Sequence, residues 1–230
     1  MEISPGIFII GTSLWIEKEK VLIINDIHIG YEGELHAKGI LVPRIQYKDI
    51  ISEMKNILKA VQPEKIIING DLKHEFGRIS NQEWRDVLDF LDFLVKHAEV
   101  IIVQGNHDPI IKPIAEKRKV TVMGSYELED TLIIHGDELI DTKKRIIIGH
   151  EHPAISIKEG SKIEKYKCFL KGKWKKNEVI VVPSFNPLLE GTDVLQGRML
   201  SPFLENVDNF EVFIVSKGEA FNFGKVKGLK

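Results

Sequence analysis

The stretch Val21-Leu22-Ile23-Ile24-Asn25-Asp26-Ile27-His28 joins a short apolar run to a carboxylate and an imidazole. Four branched aliphatic residues in a row predict a strand buried on both faces, because a half-exposed strand would alternate apolar and polar side chains. Asp26 and His28 are two residues apart, so on an extended backbone their side chains point to the same side. The stretch therefore predicts a buried strand that ends in two polar groups able to act on one point.

The same kind of apolar run recurs along the chain, at residues 7–10, 66–68, 100–103, 132–134, 146–148, 179–182 and 212–215. Four of these runs are followed directly by a short polar cluster. The clusters are Asn69-Gly70-Asp71, Gly105-Asn106-His107-Asp108, His135-Gly136-Asp137 and Gly149-His150-Glu151-His152. Because sites in α/β proteins form at the carboxyl ends of strands, these clusters are expected to meet in one crevice.

Apolar side chains repeat with helical spacing over residues 44–61 and 82–97, and a shorter helix is predicted over 109–117. Ser80 or Asn81 is the expected N-cap of the second helix. The first half of the chain thus alternates strands and helices, which predicts an α/β core. The second half is rich in strands, which favours antiparallel additions. With no linker-like segment in the sequence, residues 1–230 are expected to form a single domain.

The composition excludes several classes of protein. A hydrophobic content of 43% and a net charge of -2 over 230 residues are not those of a disordered chain or a strongly basic nucleic-acid binder. One cysteine cannot form an internal disulfide. The sequence shows no signal peptide and no apolar stretch near the roughly 20 residues of a membrane helix. A cytoplasmic protein without membrane association is expected.

Clustered carboxylates and imidazoles are ligands for divalent ions such as Mn, Fe, Zn, Co or Ni. Seven potential ligands are too many for one tetrahedral zinc ion. They suit two ions about 3.5–4 Å apart that share a bridging carboxylate.

The ordered motifs Asp26-x-His28, Gly70-Asp71, Gly105 to Asp108, His135 and Gly149 to His152 resemble those of the calcineurin-like metallophosphoesterase superfamily. The resemblance implies an α/β fold of the four-layer αββα sandwich type with a dinuclear metal site. It assigns Asp26, His28 and His152 to one metal, Asn106, His135 and His150 to the other, and Asp71 to both. It also implies two divalent cations, with Mn²⁺ expected and Fe, Zn, Ni or Co as alternatives.

A closer resemblance is carried by residues 26–31, 70–74 and 105–108, which are similar to the SbcD-type nuclease branch. Pro43-Arg44-x-Gln46 and Pro183-Ser184-Phe185-Asn186-Pro187 are similar to archaeal SbcD-related phosphoesterases and to stand-alone phosphoesterases that accompany DNA ligase. His74 stands where protein phosphatases of the superfamily carry an acidic residue. The resemblance thus implies a phosphodiesterase whose substrates are phosphate esters of nucleic acids or nucleotides.

The mechanism implied is attack by a metal-bridging hydroxide, with His107 as the general acid. Either Asp108 or His74 would orient His107, and Arg44 is a candidate phosphate contact because its guanidinium matches phosphate geometry. A small-molecule phosphomonoesterase is the alternative enzyme. A non-catalytic scaffold with this fold is the alternative of another class.

A lysine-rich segment near residue 170 predicts a strand with one basic and one apolar face. Lys165, Lys167, Lys171 and Lys173 share one side, and Tyr166, Cys168, Leu170 and Trp174 share the other. A solvated sheet face is the favoured interpretation, and a surface for a polyanionic substrate is the alternative.

Overall fold

The strand that ends before Asp26 lies inside a seven-stranded sheet. The computed structural model describes residues 1–43, 45–75, 80–196 and 198–230. Within them the strands of this first sheet follow one another in space in chain order. They are β1 (Glu2–Ser4), β2 (Ile7–Ile10), β3 (Ser13–Ile16), β4 (Val21–Asn25), β5 (Lys65–Asn69), β6 (Glu99–Val103) and β7 (Thr121–Met123).

Strands β4 to β7 run parallel to one another, whereas β1 to β4 are antiparallel. Asn25 pairs with Asn69, and Asn69 pairs with Val103. The loops after β4, β5 and β6 therefore leave the sheet at the same edge.

The described helices are α1 (Tyr31–Ala37), α2 (Gln46–Ala60), α3 (Asn81–Leu94) and α4 (Ile111–Glu116). The last three pack against one face of this sheet. Helix α1 has no buried residue and was not predicted from the sequence. Ser80 is the N-cap of α3, because its side chain accepts a hydrogen bond from the Glu83 amide at 3.0 Å and the Glu83 carboxylate accepts one from the Ser80 amide. None of the described helices is long and apolar enough to cross a bilayer.

The second sheet contains the remaining strands. They are β8 (Tyr126–Glu127), β9 (Thr131–Ile133), β10 (Arg145–Ile148), β11 (Pro153–Glu159), β12 (Lys162–Trp174), β13 (Asn177–Val181), β14 (Thr192–Asp193), β15 (Glu211–Ser216) and β16 (Glu219–Lys225). Antiparallel pairing was expected here, and it is found for the β11–β12, β12–β13, β12–β15 and β15–β16 pairs. The expectation is wrong for β9, β10 and β13, which are mutually parallel. Their short, uniformly apolar sequences are buried on both faces, as is typical of parallel strands.

Successive side chains of a strand point to opposite faces of the sheet and so belong to different layers of the core. Leu22 and Ile24 of β4 face α2 and α3, while Val21 and Ile23 pack between the two sheets against residues such as Phe169. The predicted mixed α/β architecture with two stacked sheets is confirmed. Outside the second sheet, the described chain supplies irregular structure over residues 194–196 and 198–210 and a 3-10 helix (Val226–Gly228), and no α-helix of the described residues follows Glu116.

Candidate metal centre

The backbone turns sharply where the polar clusters leave the strands. Five predicted ligands have left-handed φ angles, which are 50° for Asp26, 45° for His28, 48° for Asp71, 62° for His150 and 48° for His152. Such a conformation costs a non-glycine residue about 1–3 kcal/mol and persists only where the surrounding structure fixes it. Its recurrence at the ends of β4, β5 and β10 is typical of a functional site.

Two glycines of the motifs allow loops to approach each other closely. A Cβ atom on Gly105 would lie 2.2 Å from Asp71 Oδ1, and one on Gly149 would lie 2.5 Å from Asp26 Oδ2. No other residue fits at either position without moving a carboxylate. This explains why glycine precedes Asn106 and His150 in the sequence.

The first group of converging side chains contains Asp26, His28, Asp71 and His152. His28 Nε2 lies 3.6 Å from Asp71 Oδ2, and His152 Nε2 lies 3.5 Å from Asp26 Oδ1. The Nε2 atoms of the two imidazoles are 3.3 Å apart. Asp26, His28 and Asp71 are almost wholly buried.

The second group contains Asp71, His135 and His150, with Asn106 beside them. His135 Nε2 lies 3.4 Å from Asp71 Oδ2, 2.9 Å from Asn106 Oδ1 and 3.2 Å from His150 Nδ1. Asp71 Oδ2 thus faces both groups. The structure brings together all seven side chains that the sequence predicted as ligands.

These donors fit two divalent cations. Ligands bound to one ion at about 2.1 Å lie about 3.0–3.5 Å from each other, which is close to the separations within each group. Asp26 Oδ1, a metal-ligand type of atom, is buried without a hydrogen-bond partner. A cation in each group would compensate for the buried carboxylates, and the donor types do not specify which metal it is.

The direction in which the surroundings shift the imidazole pKa differs between the histidines of the site. Burial lowers the pKa of His28 and of His150, which favours the neutral form that binds metals. Burial would also lower the pKa of His135, but hydrogen bonding to Asp71 and the charge of Asp26 outweigh it and raise that pKa to about 9. Burial would raise the pKa of Asp71, but the hydrogen bond and charge of His135 hold it below its usual range.

His107 lies beside the shared carboxylate. Its amide donates a hydrogen bond of 2.8 Å to Asp71 Oδ1, and its Nδ1 lies 2.6 Å from the main-chain carbonyl of His74. Because a carbonyl oxygen only accepts, Nδ1 must carry a proton. Burial lowers the pKa of His107, and the charge of Asp71 acts in the opposite direction.

The side chain of His74 faces His28. The Nδ1 atoms of the two rings are 3.3 Å apart, and His74 Nε2 contacts a carboxylate oxygen of Glu34 on α1. Metal-binding histidines commonly have their second ring nitrogen fixed in this way by another side chain. Glu34 was not predicted from the sequence, because α1 has no clear apolar periodicity.

The Asp108 carboxylate bonds to main chain. It accepts hydrogen bonds from the amides of Leu72 at 3.3 Å, Lys73 at 3.4 Å and Gly105 at 3.3 Å. Burial raises its pKa to about 7, and the charge of Asp71 adds to this effect. Of the two residues expected to orient His107, His74 contacts its ring through the main-chain carbonyl, while the Asp108 side chain joins the loops after β5 and β6.

Replacing Asp108 with Ala should lower the free energy of unfolding by about 3 kcal/mol, because it leaves buried amides without an acceptor. Urea unfolding of the chelator-treated protein would measure the loss. Asp108→Asn retains one acceptor oxygen and should show a smaller loss. Equal stability of wild type and Asp108→Ala would contradict this assignment.

Arg44, the predicted phosphate contact, lies outside the described residues. Three residues that touch the ligand loops were not predicted as part of the site, although the motifs around positions 43–46 and 183–187 contain them. They are Gln46, Ser184 and Asn186, which hydrogen-bond to the main-chain carbonyls of Asp26 or His28.

Comparison with known proteins agrees with this geometry. The family model for calcineurin-like phosphoesterases matches residues 19–216, so the chain belongs to that family. A crystal structure of the Pseudomonas putida nuclease MPE superposes with a TM-score of 0.68 and 15% identity, covering 94% of each chain. Yfce, a phosphoesterase from E. coli, gives a TM-score of 0.44 and 14% identity over 89% of this chain and 98% of that one. No curated protein matches the sequence.

Family membership implies a metal-dependent phosphoester hydrolase, and the cluster of His and Asp side chains is consistent with a divalent metal site. The likeness to the nuclease extends over nearly the whole chain and concerns the fold.

Proposed function

We propose that this protein is a dinuclear, metal-dependent phosphodiesterase that acts on nucleic acid or nucleotide phosphodiesters. The observation that carries the proposal is the shared position of Asp71, whose Oδ2 lies 3.6 Å from His28 Nε2 and 3.4 Å from His135 Nε2. One carboxylate oxygen between two sets of imidazole donors is the arrangement that a pair of bridged cations requires.

Each predicted ligand has a role in this proposal. Asp26, His28 and His152 would hold one cation, Asn106, His135 and His150 the other, and Asp71 would contact both. Mn²⁺ is the proposed metal, because members of the family that the motifs resemble commonly use it. When bound, two such ions lower the pKa of water and neutralise charge on a phosphate group.

The chain's own residues position the remaining chemistry. The main-chain carbonyl of His74 fixes the His107 ring through Nδ1, and Nε2 of the imidazolium form would deliver a proton to the leaving oxygen. His74, held by Glu34, keeps the His28 ring in place from the side opposite to Asp71. Asp26 and Asp71 are almost wholly buried, which strengthens the electrostatic interactions of their carboxylates.

The preference for diesters rests on the motifs at residues 26–31, 70–74 and 105–108, which are similar to the SbcD-type branch. His74 supports it, since the acidic residue of the protein-phosphatase branch is missing at that position. Kinship to the archaeal SbcD-related enzymes is part of the same proposal.

The test is Mn²⁺-dependent hydrolysis of bis-p-nitrophenyl phosphate beside p-nitrophenyl phosphate. We expect kcat/KM for the diester to exceed that for the monoester by at least about tenfold, since about 1.4 kcal/mol of differential transition-state binding suffices. A preference for the monoester would instead support a small-molecule phosphomonoesterase. If the metal-loaded protein hydrolysed neither compound, the result would contradict the proposed enzymatic activity and favour a non-catalytic scaffold.

A further inference from the structure

The loop that carries Asp26 and His28 is the most constrained part of the centre. Both residues have left-handed φ angles, and Ile27 between them is fully buried. Left-handed φ angles at two non-glycine residues within three positions are unfavourable, so other groups must hold this backbone. Without them the loop would relax and carry both side chains away from His152 and Asp71.

Three side chains bind the carbonyl groups of this loop. Ser184 Oγ donates a hydrogen bond of 2.7 Å to the Asp26 carbonyl. Gln46 Nε2 and Asn186 Nδ2 donate to the His28 carbonyl at 2.8 Å and 3.3 Å. All three donors are buried.

Ser184 and Asn186 are themselves held by a lysine from the second sheet. Lys167 Nζ on β12 donates to the Ser184 carbonyl at 2.7 Å and also to the Asn186 carbonyl. Burial lowers the pKa of this amine to about 7, whereas the neighbouring carboxylates of Asp26 and Glu53 act in the opposite direction.

The other lysines on this side of β12 behave differently. Lys165 pairs with Glu190 at 3.6 Å, and Lys171 pairs with Glu178 at 3.9 Å. Among the described residues, no carboxylate lies within ion-pair distance of Lys167. Phe169, between Lys167 and Lys171, packs in the core between the sheets. The predicted basic face is therefore not one continuous solvated surface.

We propose that Lys167, Ser184 and Asn186 form a carbonyl clamp that positions Asp26 and His28 for one of the two metals. Lys167 is then a positioning residue that lies in a different sheet from the loop it controls. This inference rests on the proposed function in one respect, namely that Asp26 and His28 are metal ligands. It predicts that damage to the clamp weakens one metal site and spares the other.

The test is Mn²⁺ titration of the intact protein by calorimetry, together with the EPR spectrum of the loaded sample. Lys167→Met should weaken one of two binding events by about ten- to a hundredfold, the size typical of lost outer-shell partners, and leave the other within about threefold. The weakened event should be the one that Asp26→Asn removes. When less Mn²⁺ is added than would fill both sites, the EPR spectrum should change from that of coupled ions in the wild type to that of isolated ions in Lys167→Met.

Three further variants make the result specific. Lys167→Arg keeps a cationic donor and should restore most of the affinity. Ser184→Ala should weaken the same binding event. The double variant with Lys167→Met should lose less affinity than the product of the fold-losses of the two single variants. Lys165→Met, on the same side of the same strand, should bind both ions as wild type does. If Lys167→Met does not fold, Ser184→Ala carries the test alone.

The outcomes separate the two proposals. Wild-type protein that binds no metal overturns the proposed function. Wild-type protein that binds two ions, with Lys167→Met and Ser184→Ala that bind both equally well, overturns the clamp alone. A fall in melting temperature with unchanged metal affinities would also overturn it, because the clamp would then stabilise the fold without positioning the ligands.

Discussion

Asp71→Asn is expected to lower the rate of phosphoester hydrolysis by a factor of about 10³ or more, because the substitution removes a negative charge that would interact with both metals. Asp71 Oδ2 is the atom that both donor groups approach. The amide that replaces it is neutral and presents either a poor bridging oxygen or hydrogens. Metal content should fall from two ions per chain to one or fewer, measured by plasma mass spectrometry after gel filtration.

The substitution is informative because it preserves most of the structure. Asp71 Oδ1 accepts the His107 amide at 2.8 Å, and the carbonyl oxygen of asparagine can do the same. Asp137→Asn is a matched control, since Asp137 is an exposed carboxylate two residues after His135. We expect it to keep two metals and to lose less than tenfold in activity. Full metal content in Asp71→Asn would show that this residue does not bridge the centre.

The sequence alone predicted the strand ends well. The run from Val21 to Asn25 is buried along its whole length, as its uninterrupted apolar pattern indicated. The helix predicted over residues 82–97 is observed as α3 (Asn81–Leu94), and its N-cap is Ser80, one of the two residues expected there. Local patterns of this kind are decided by neighbouring residues, so they can be recognised without knowledge of the fold.

Contacts across long stretches of chain could not be predicted in this way. Ser184 binds the carbonyl of Asp26, and Lys167 on the second sheet in turn binds the carbonyl of Ser184. Hydrophobic periodicity carries no information about such pairs, which depend on how the sheets stack. The lysine pattern on β12 even suggested a uniform face, because periodicity gives the side on which a residue lies and not what covers it. The family motifs contained Ser184 and Asn186, but only the structure connects them to Asp26 and His28.

His107→Ala is expected to reduce kcat by about 10²–10⁴, the usual contribution of a general acid, while both metals remain bound. His107 differs from the seven predicted ligands in this respect. Its ring contacts the His74 carbonyl through Nδ1, and its amide, which the substitution retains, is the group that binds Asp71. The metal groups at His28 and His135 should therefore keep their geometry.

The dependence on leaving group distinguishes a general acid from a residue that only binds substrate. A leaving oxygen of high basicity needs a proton in the transition state, whereas p-nitrophenolate does not. His107→Ala should thus lose far more activity on an alkyl phosphodiester than on bis-p-nitrophenyl phosphate, and rates across a series of leaving groups would measure the difference. Equal losses across the series would contradict proton donation by His107. Loss of metal from this variant would instead make His107 part of the metal centre, and the proton would have to come from another group.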